Sequence, residues 1–579
     1  MRIKQMQLFA AAALALAGCA SAEPAQNLAG DYLSGRFAAE TNDVDGAAGA
    51  YAEASAKAPQ QVDLVKGAFF YQLAAGDIDA AAGYARQILT SQTGDNDGLA
   101  HLTLAVQALK ARRLKAARAE LGGEMDAPFL KSISYLANVW IERDLNGDDA
   151  ALAKLKNPGP DIFNGFNPLH IGFIAEEAGE TEQAKAAYQA AALGMGGFVA
   201  RIAYGAFLER QGDADAARDF YELLARDPGP SRRLAEEAER RLDKNKPSRA
   251  YTHVTAQQGA ALAFYAYASA FTETTAGQRA RAADAGFNVG EPRFNMPLVL
   301  ARMALYLDPK LDEARRLVGG ILNLYGDYED GAAVLEQIPP SSPHFEQARI
   351  EIAGGLSARK EPEKAVEVLK KAIRSDPRGA ELKLALANIY AGENEHQAAV
   401  DALDGVIASL PKEPDEDAWR YFVSRGASLL ELGRWDDAEA DLKRAVEIAP
   451  DEPMALNYLG YSWAERGLHL DEAFKLIEKA VEAAPHSGAI VDSLGWAHYQ
   501  LGDYKQAVVH LEKAAALEPS DPTVTDHLGD VYWRLGRDIE ARYQWERALE
   551  LEPSEKLKGE LQDKLDHGLA DKKADKKGA

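Results

Sequence analysis

The sequence predicts an all-α protein, a solenoid of helix-turn-helix units, from three features that repeat along the chain. Prolines are spaced 34 residues apart from Pro309 to Pro411 and continue, with small insertions, to Pro553. In the best copies a glycine lies 24 residues before the proline, as Gly529 does before Pro553. Alanines recur 12 and five residues before the same proline. A period of this length is typical of stacked helix pairs, and about a dozen units would form a right-handed superhelix.

The small residues are expected where the two helices of a unit cross, because close approach of two helices requires small side chains. Large side chains fill the adjoining space, and we expect a core aromatic four residues after the small residue in the second helix. These aromatics are Tyr51, Tyr188, Tyr221 and Trp545. Each proline then ends its unit, because it lacks an N–H donor and restricts the residue before it.

Ahead of the repeats lies a short segment with the character of an export signal. Arg2 and Lys4 precede an apolar run over residues 8–16, which is too short to cross a bilayer as a helix. The only cysteine of the chain, Cys19, directly follows a Leu-Ala-Gly triplet. This arrangement resembles the lipobox of bacterial lipoproteins, so residues 1–18 are predicted to be a signal peptide.

The lipobox resemblance implies that Cys19 becomes the first residue and carries a diacylglycerol thioether and a further acyl chain, such as palmitate. Several acyl chains hold a protein on a membrane far longer than one does. The non-acidic Ala20 that follows favours the outer membrane, with the protein facing the periplasm. The alternative is ordinary secretion, because Ala20 and Ala22 also fit the small-residue pattern of a cleavage site that would discard the cysteine.

The repeats define the domain organisation. Residues 19–30 are predicted to be the lipidated cysteine and a tether, residues 31–246 a degenerate N-terminal array, and residues 299–567 a clearer C-terminal array. Between the arrays, residues 247–298 are expected to hold a helix and a long insertion, mostly Thr272 to Asn295, which is either disordered or functional. The lysine-rich residues 568–579 are expected to form a disordered charged tail.

Composition excludes several classes of function. A formal charge of −24 argues against binding to phosphate backbones, so nucleic acid is not an expected partner, and membrane contact is expected through the lipid anchor only. With one cysteine the chain can form no internal disulfide and no thiolate metal site. Neither a His-Glu-x-x-His nor a Gly-x-Ser-x-Gly motif is present. We therefore expect a non-catalytic protein without metal or cofactor.

The proline, glycine and alanine pattern resembles the tetratricopeptide repeat. The strongest blocks are residues 458–467, 492–496 and 526–530, and these look like blocks of proteobacterial outer-membrane repeat lipoproteins. One type in that group is the lipoprotein adaptor of the carboxyl-terminal processing protease, which presents peptidoglycan hydrolases to the protease. That resemblance implies protein partners of this kind for the chain.

A partner-binding groove is predicted on the first helices of the last units, where positions two, five, nine and twelve tend to face the concave side. Counting from Pro453, Gly488 and Pro522, the candidate groove residues are Asn457, Tyr461, Asp492, Trp496, Tyr499, Asp526, Asp530 and Trp533. Aromatic anchors edged with carboxylates would suit an extended segment with apolar and cationic side chains. The alternative is that some of these aromatics pack between adjacent units.

The sequence thus favours a periplasm-facing scaffold that brings a protease or another cell-wall enzyme to its client proteins. A scaffold for exopolysaccharide export or outer-membrane protein assembly would use the same groove and is the alternative. A hydrolase with an unrecognised site is a third hypothesis, which no constellation of residues supports.

Overall fold

The computed structural model describes residues 23–91, 97–125, 127–156, 165–194, 196–227, 229–284 and 294–569. These residues form 30 α-helices, and no strand occurs in the described part of the chain. The predicted all-α helical-repeat fold is therefore confirmed. The chain divides into two compact units, Met1–Asp376 and Pro377–Ala579.

The N-terminal unit contains nineteen of these helices, most of them paired with the next helix along the chain. They are α1 Glu23–Glu40, α2 Val44–Lys57, α3 Val62–Ala75, α4 Ile78–Thr90, α5 Gly98–Lys110, α6 Leu114–Leu121, α7 Pro128–Asn146, α8 Asp148–Lys156, α9 Asn167–Glu177, α10 Thr181–Leu193, α11 Gly197–Gln211, α12 Ala214–Ala225, α13 Pro230–Asp243, α14 Ala256–Asp284, α15 Asn295–Leu307, α16 Asp312–Leu324, α17 Tyr328–Leu335, α18 Phe345–Ala358 and α19 Pro362–Ser375.

The C-terminal unit contains the remaining eleven helices, in five consecutive pairs followed by a single last helix. They are α20 Ala380–Gly392, α21 His396–Ser409, α22 Trp419–Glu431, α23 Trp435–Ile448, α24 Pro453–Arg466, α25 Leu470–Ala483, α26 Gly488–Gln500, α27 Tyr504–Leu517, α28 Pro522–Arg534, α29 Asp538–Glu550 and α30 Glu555–His567.

The turn inside several pairs is encoded by a glycine followed by an aspartate. Gly76, Gly212 and Gly502 adopt positive φ angles of 95°, 72° and 80°, which residues with a Cβ rarely adopt. The aspartate that follows caps the second helix, as Asp503 does by accepting a hydrogen bond from the backbone N–H of Gln506 at 3.3 Å. The first helix therefore ends and the second begins within a few residues.

The expected core aromatics fill the space above a glycine of the first helix. A Cβ on Gly172 would lie 2.5 Å from the ring of Tyr188, and one on Gly529 would lie 2.5 Å from Trp545. Tyr188, Tyr221 and Trp545 are at most 1% exposed, so these three are core residues as predicted. Tyr51 stands in the same position against Gly35 of α1, where a Cβ would lie 3.0 Å from its ring, but Tyr51 is half-buried.

The interrupting segment of the N-terminal unit differs from the prediction. The helix expected to end near Phe271 continues to Asp284, so much of the segment read as an insertion loop is helical. Four alanines in residues 272–284 favour a helix, and the hydroxyl of Thr272 donates a hydrogen bond to the carbonyl of Ala268 at 2.8 Å. Residues 285–293 lie outside the described residues.

Helices α14 and α15 fold back onto the first helices of earlier pairs. A Cβ on Gly259 would lie 2.0 Å from the buried indole of Trp140, and the amide of Gln257 donates to the carbonyl of Leu109 at 2.8 Å. In α15 the hydroxyl of Tyr306 donates to Asp79 at 2.9 Å. A single apolar cluster runs from Val44 to Leu322. In this unit the chain itself covers first-helix faces that an open solenoid would leave free.

Two predicted boundaries need correction. The tether expected over residues 19–30 is shorter, because α1 begins at Glu23. The N-terminal unit does not end near residue 246: Arg233 of α13 donates to Glu346 at 2.6 Å, to the carbonyl of Pro340 at 2.7 Å and to Asp376. These contacts join α13 to helices that had been placed in the C-terminal array. Cys19, the signal segment and residues 570–579 lie outside the described residues.

Candidate functional site

The C-terminal unit contains a groove of about 910 Å³ along the first helices α20, α22 and α24. The loop after α22, the start of α21 and the start of α30 complete its rim. Its lining residues are Leu384, Asn388, Ala391, His396, Trp419, Arg420, Val423, Ser424, Ala427, Ser428, Leu430, Glu431, Gly433, Met454, Tyr458, Tyr461, Ser462, Glu465, Arg466 and Lys556.

Apolar side chains spaced by four or seven residues along their helices form the floor of this groove. Leu384 and Ala391 come from α20, Val423 and Ala427 from α22, and Met454 from α24. Met454 remains 40% exposed, although methionine prefers contact with apolar groups. A floor of this kind can accept apolar side chains of an extended segment.

Most charged groups on the groove wall are already paired. Arg420 forms a bidentate contact with Glu381, at 3.0 and 2.9 Å, and also binds Asp417 at 3.0 Å. Arg466 pairs with Glu465 at 3.0 Å and lies over a neighbouring tryptophan ring. Such internal pairs hold the long side chains in place, so the groove offers a defined shape rather than a strong local charge.

Tyr461 and Asn457 supply polar groups on α24. Burial raises the pKa of the Tyr461 phenol, and the nearby Glu465 and Asp492 raise it further, so the phenol is neutral and can donate or accept a hydrogen bond. The Oδ1 atom of Asn457 is buried and has no hydrogen-bond partner among the described residues. Both residues belong to the predicted groove; Tyr461 lines the groove, whereas Asn457 is not among its lining residues.

The three predicted acidic groove residues are not open to a ligand. Asp492 is buried and contacts Nδ1 of His527 at 2.9 Å. Asp526 and Asp530 are buried against Lys564 of α30, at 2.7 and 2.8 Å. The prediction of a carboxylate-edged groove is wrong here, because each carboxylate contacts a basic side chain two helices later in the stack, on α28 or α30.

The predicted aromatic residues beyond α24 also pack within the stack. Trp496 stacks on His527, with ring centroids 3.9 Å apart, and on Tyr499 at 4.5 Å. Tyr499 is only 4% exposed. The ring centroids of Trp533 and Trp545 are 5.4 Å apart, and the Trp533 ring packs so closely on Gly568 that a Cβ there would lie 2.2 Å from it. These three residues follow the alternative that aromatics pack between adjacent units.

Several groove residues were missed because the positional rule was applied to the last three pairs only. Counting from Ala380 and Trp419 as first positions, Leu384 and Val423 stand at position five, and Asn388 and Ala427 at position nine. The rule therefore indicates the correct helix faces in α20 and α22, the first helices of the two pairs that precede α24. Its signal was present in the 34-residue spacing between Trp419 and Pro453.

The described ranges also lack two kinds of feature. Nowhere in them do three His, Cys, Asp or Glu side chains come together in a way that could hold a metal ion. Among the helices described, none is both long enough and apolar enough to span a bilayer.

Comparison with known proteins identifies repeats in the C-terminal part of the chain. Family models described as Tetratricopeptide repeat match residues 356–421 and 424–488, and one described as TPR repeat matches residues 495–536. A TPR repeat-containing protein of Pseudomonas aeruginosa is 42% identical over 73 residues, which is 13% of this chain. The chain covers only 12% of that relative's length.

Solved structures give partial superpositions. The APC/C heterotetramer Cut9-Hcn1 superposes with a TM-score of 0.38 at 15% identity, covering 93% of this chain and 96% of that one. A tetratricopeptide repeat protein from Parabacteroides merdae gives 0.36 at 14% identity, with 43% and 96% covered. The pilF protein of Pseudomonas aeruginosa gives 0.30 at 20% identity, with 38% and 97% covered. The tetratricopeptide character of the repeats rests on the matched segments and the pairing of the helices.

Proposed function

Starting from its tetratricopeptide-repeat fold, we propose that this chain is a non-catalytic scaffold that holds a segment of a partner protein in the groove along α20, α22 and α24. It is anchored by acyl chains on Cys19 in the outer membrane and faces the periplasm. Proteins with these repeats bind protein partners, and the proposal assigns that role to one defined surface of this chain.

The observation that carries the proposal is the groove itself. Its floor is apolar, and Arg420 and Arg466 of its wall are held in ion pairs with Glu381 and Glu465. A preorganised apolar surface with few polar groups loses little conformational entropy when a segment binds. In the N-terminal unit, by contrast, α14 and α15 pack on several first-helix faces.

For the partners, we propose a processing protease and the cell-wall hydrolases that it degrades. This rests on the resemblance of the blocks at residues 458–467, 492–496 and 526–530 to those of the protease-adaptor lipoproteins. Attachment of the scaffold to a membrane would raise the effective concentration of two bound proteins toward one another. A scaffold needs no reactive group for this role.

The test is affinity capture from membrane and periplasmic extracts with the full-length protein and two matched tryptophan variants. Ala427→Trp fills the groove floor, whereas Ala440→Trp adds the same side chain at an exposed position of α23. We expect the wild type and A440W to enrich a protease together with hydrolases, and A427W to lose them. Equal capture by all three proteins would contradict the groove assignment, and enrichment of export or assembly components would change the partner class.

Anchoring is tested separately with Cys19→Ser. The substitution removes the only thiol of the chain. We expect wild-type protein to sediment with outer membranes and to carry the mass of the acyl groups, and C19S to lose both properties. An unmodified Cys19 in purified wild-type protein would exclude the anchor.

A further inference from the structure

Helix α1 presents exposed apolar side chains, of which Tyr32 is partly covered by an edge-to-face contact with Tyr51 of α2, with ring centroids 6.3 Å apart. On α1, Phe37 is 70% exposed, Leu33 is 56% exposed and Tyr32 is 37% exposed. At 100° per residue these three side chains span about 140° of the helix surface. Single exposed apolar residues are common on proteins, but three on one face of a helix form an apolar patch of the kind that marks an interaction site.

The opposite face of α1 is fixed to the body of the N-terminal unit. A Cβ on Gly35 would lie 3.0 Å from the ring of Tyr51 on α2, so the two helices approach closely there. Ala38 is only 7% exposed on the same side, and Asp31 forms an ion pair with Lys57 at the end of α2. Because α1 cannot rotate, Leu33 and Phe37 must point away from the unit.

The position of this face along the chain indicates its partner. Only Ala20, Ser21 and Ala22 separate Cys19 from the start of α1 at Glu23. Four residue steps of a fully extended chain reach at most about 14 Å. If Cys19 carries acyl chains, as proposed above, α1 starts within that distance of the headgroup layer.

We infer that the face of α1 formed by Tyr32, Leu33 and Phe37 docks on the phospholipid surface beside the lipid anchor. The inference rests on the proposed lipidation of Cys19. Aromatic side chains are favoured at membrane interfaces, and the aliphatic stem of Arg36, which lies between Tyr32 and Leu33 on the helix, adds apolar surface to this face. The contact is apolar rather than ionic, because Arg36 is paired with Glu40 at 3.2 Å.

This contact would orient the scaffold as well as attach it. Acyl chains alone hold a protein on a membrane without fixing its orientation. A second contact through a helix that is rigidly packed on α2 removes that freedom for the N-terminal unit. The membrane contact then involves protein side chains in addition to the anchor.

The test uses the chemistry of the only cysteine. In lipidated full-length protein the Cys19 thiol is consumed by the thioether, so Phe37→Cys carries one free thiol for an environment-sensitive fluorophore. The labelled protein is reconstituted in phosphatidylethanolamine vesicles that contain brominated phosphatidylcholine. The matched control is Leu193→Cys at the end of α10. The Leu193 side chain is 71% exposed, nearly the same as the 70% of Phe37.

We expect blue-shifted emission and strong quenching by the brominated lipid for F37C, little of either for L193C, and no change at high salt. Equal quenching at both positions, or none at position 37 with one free thiol per chain, would overturn the docking face alone. A disulfide-linked F37C dimer without quenching would show that a second copy covers the face, and it also overturns the inference. Two free thiols per chain would mean that lipidation fails, and the inference would fail with it.

Discussion

Replacing Lys564 by methionine tests how the C-terminal unit ends. Its ammonium lies 2.7 Å from Asp526 and 2.8 Å from Asp530, and the three side chains are at most 15% exposed. Methionine keeps the length and apolar contacts of the lysine stem but leaves both carboxylates without their cation. Removal of one partner from a buried ion pair typically costs about 3–5 kcal/mol. We expect Lys564→Met to lower the local unfolding free energy by about 3 kcal/mol at pH 8.

The loss should depend on pH in a defined direction. Burial, together with the charge of Asp530, raises the pKa of Asp526 to about 6 from 3.8. A carboxyl with a raised folded-state pKa binds its proton more tightly when folded, so it costs stability as the pH rises from 3.8 through 6. At pH 5 Asp526 is largely neutral and needs its cation less. At pH 5 the difference in unfolding free energy between K564M and wild type should therefore be roughly half of the difference at pH 8.

The assay is hydrogen exchange of the amides of α28 and α30, read by mass spectrometry in the full-length protein. A repeat array opens locally, so a single global melting temperature would not isolate this end. The control is Lys558→Met in the same helix, where the lysine is 59% exposed and its partner Glu555 is 90% exposed. Such a surface pair contributes at most about 1 kcal/mol. A K564M effect no larger than that of K558M, or one independent of pH, would refute the reasoning.

Three further predictions concern the N-terminal unit, each read by hydrogen exchange of the helices named. Gly259→Ala should destabilise α7 and α14 by about 1–3 kcal/mol, because its Cβ would overlap Trp140. Gly277→Ala in the same helix meets open space and should be neutral or slightly stabilising. Equal effects of the two substitutions would exclude the close packing at Gly259. Burial lowers the pKa of His170 from 6.5 to about 4, so the unfolded chain binds the extra proton and stability present above pH 6.5 should decline by about 3 kcal/mol as the pH falls to 4. His170→Gln, which can still accept the hydrogen bond of Trp140, should flatten that decline, and an unchanged pH profile would refute the assignment. Arg233→Met should expose the segment around Phe345 to exchange at a cost of about 3 kcal/mol, because Glu346 and Asp376 lose their cation; protection equal to wild type would show that the ion pairs contribute nothing.

The repeat itself could be predicted from the sequence because its packing constraints are local. A glycine in the first helix and an aromatic in the second, such as Gly205 and Tyr221, lie 16 residues apart and are in contact. The closure of the N-terminal unit has no such signature. The hydrogen bond from Tyr306 to Asp79 joins residues separated by 227 positions, and neither residue type is unusual where it stands. Contacts of that range follow from the curvature of the array, which no short motif encodes.

In the candidate groove, too, local spacing predicts some features of the residues and not others. Helical position correctly indicates which side chains of a first helix face inward, and Tyr461 lines the groove for that reason. Position does not indicate whether the next helix covers them. Asp492 is covered by His527 and Asp526 by Lys564, each more than 30 residues later in the chain. A carboxylate that is followed one repeat later by a basic residue is better read as a stacking pair than as a binding residue.

First-helix faces are covered in the N-terminal unit and line an open groove in the C-terminal unit. A substitution in the groove can therefore test partner binding without changing the stability of the fold. In the N-terminal unit α14 and α15 pack on first-helix faces of α3, α5 and α7, so substitutions such as G259A act on a filled interior. In the C-terminal unit Ala427 lines an open groove, so an added tryptophan there meets solvent rather than packed atoms. A427W should therefore abolish partner capture with hydrogen exchange of both units unchanged, whereas G259A should alter exchange of the N-terminal unit first. If A427W lost capture only together with protection of α22 and α24, the groove would be a structural element, and the binding surface would have to be sought elsewhere.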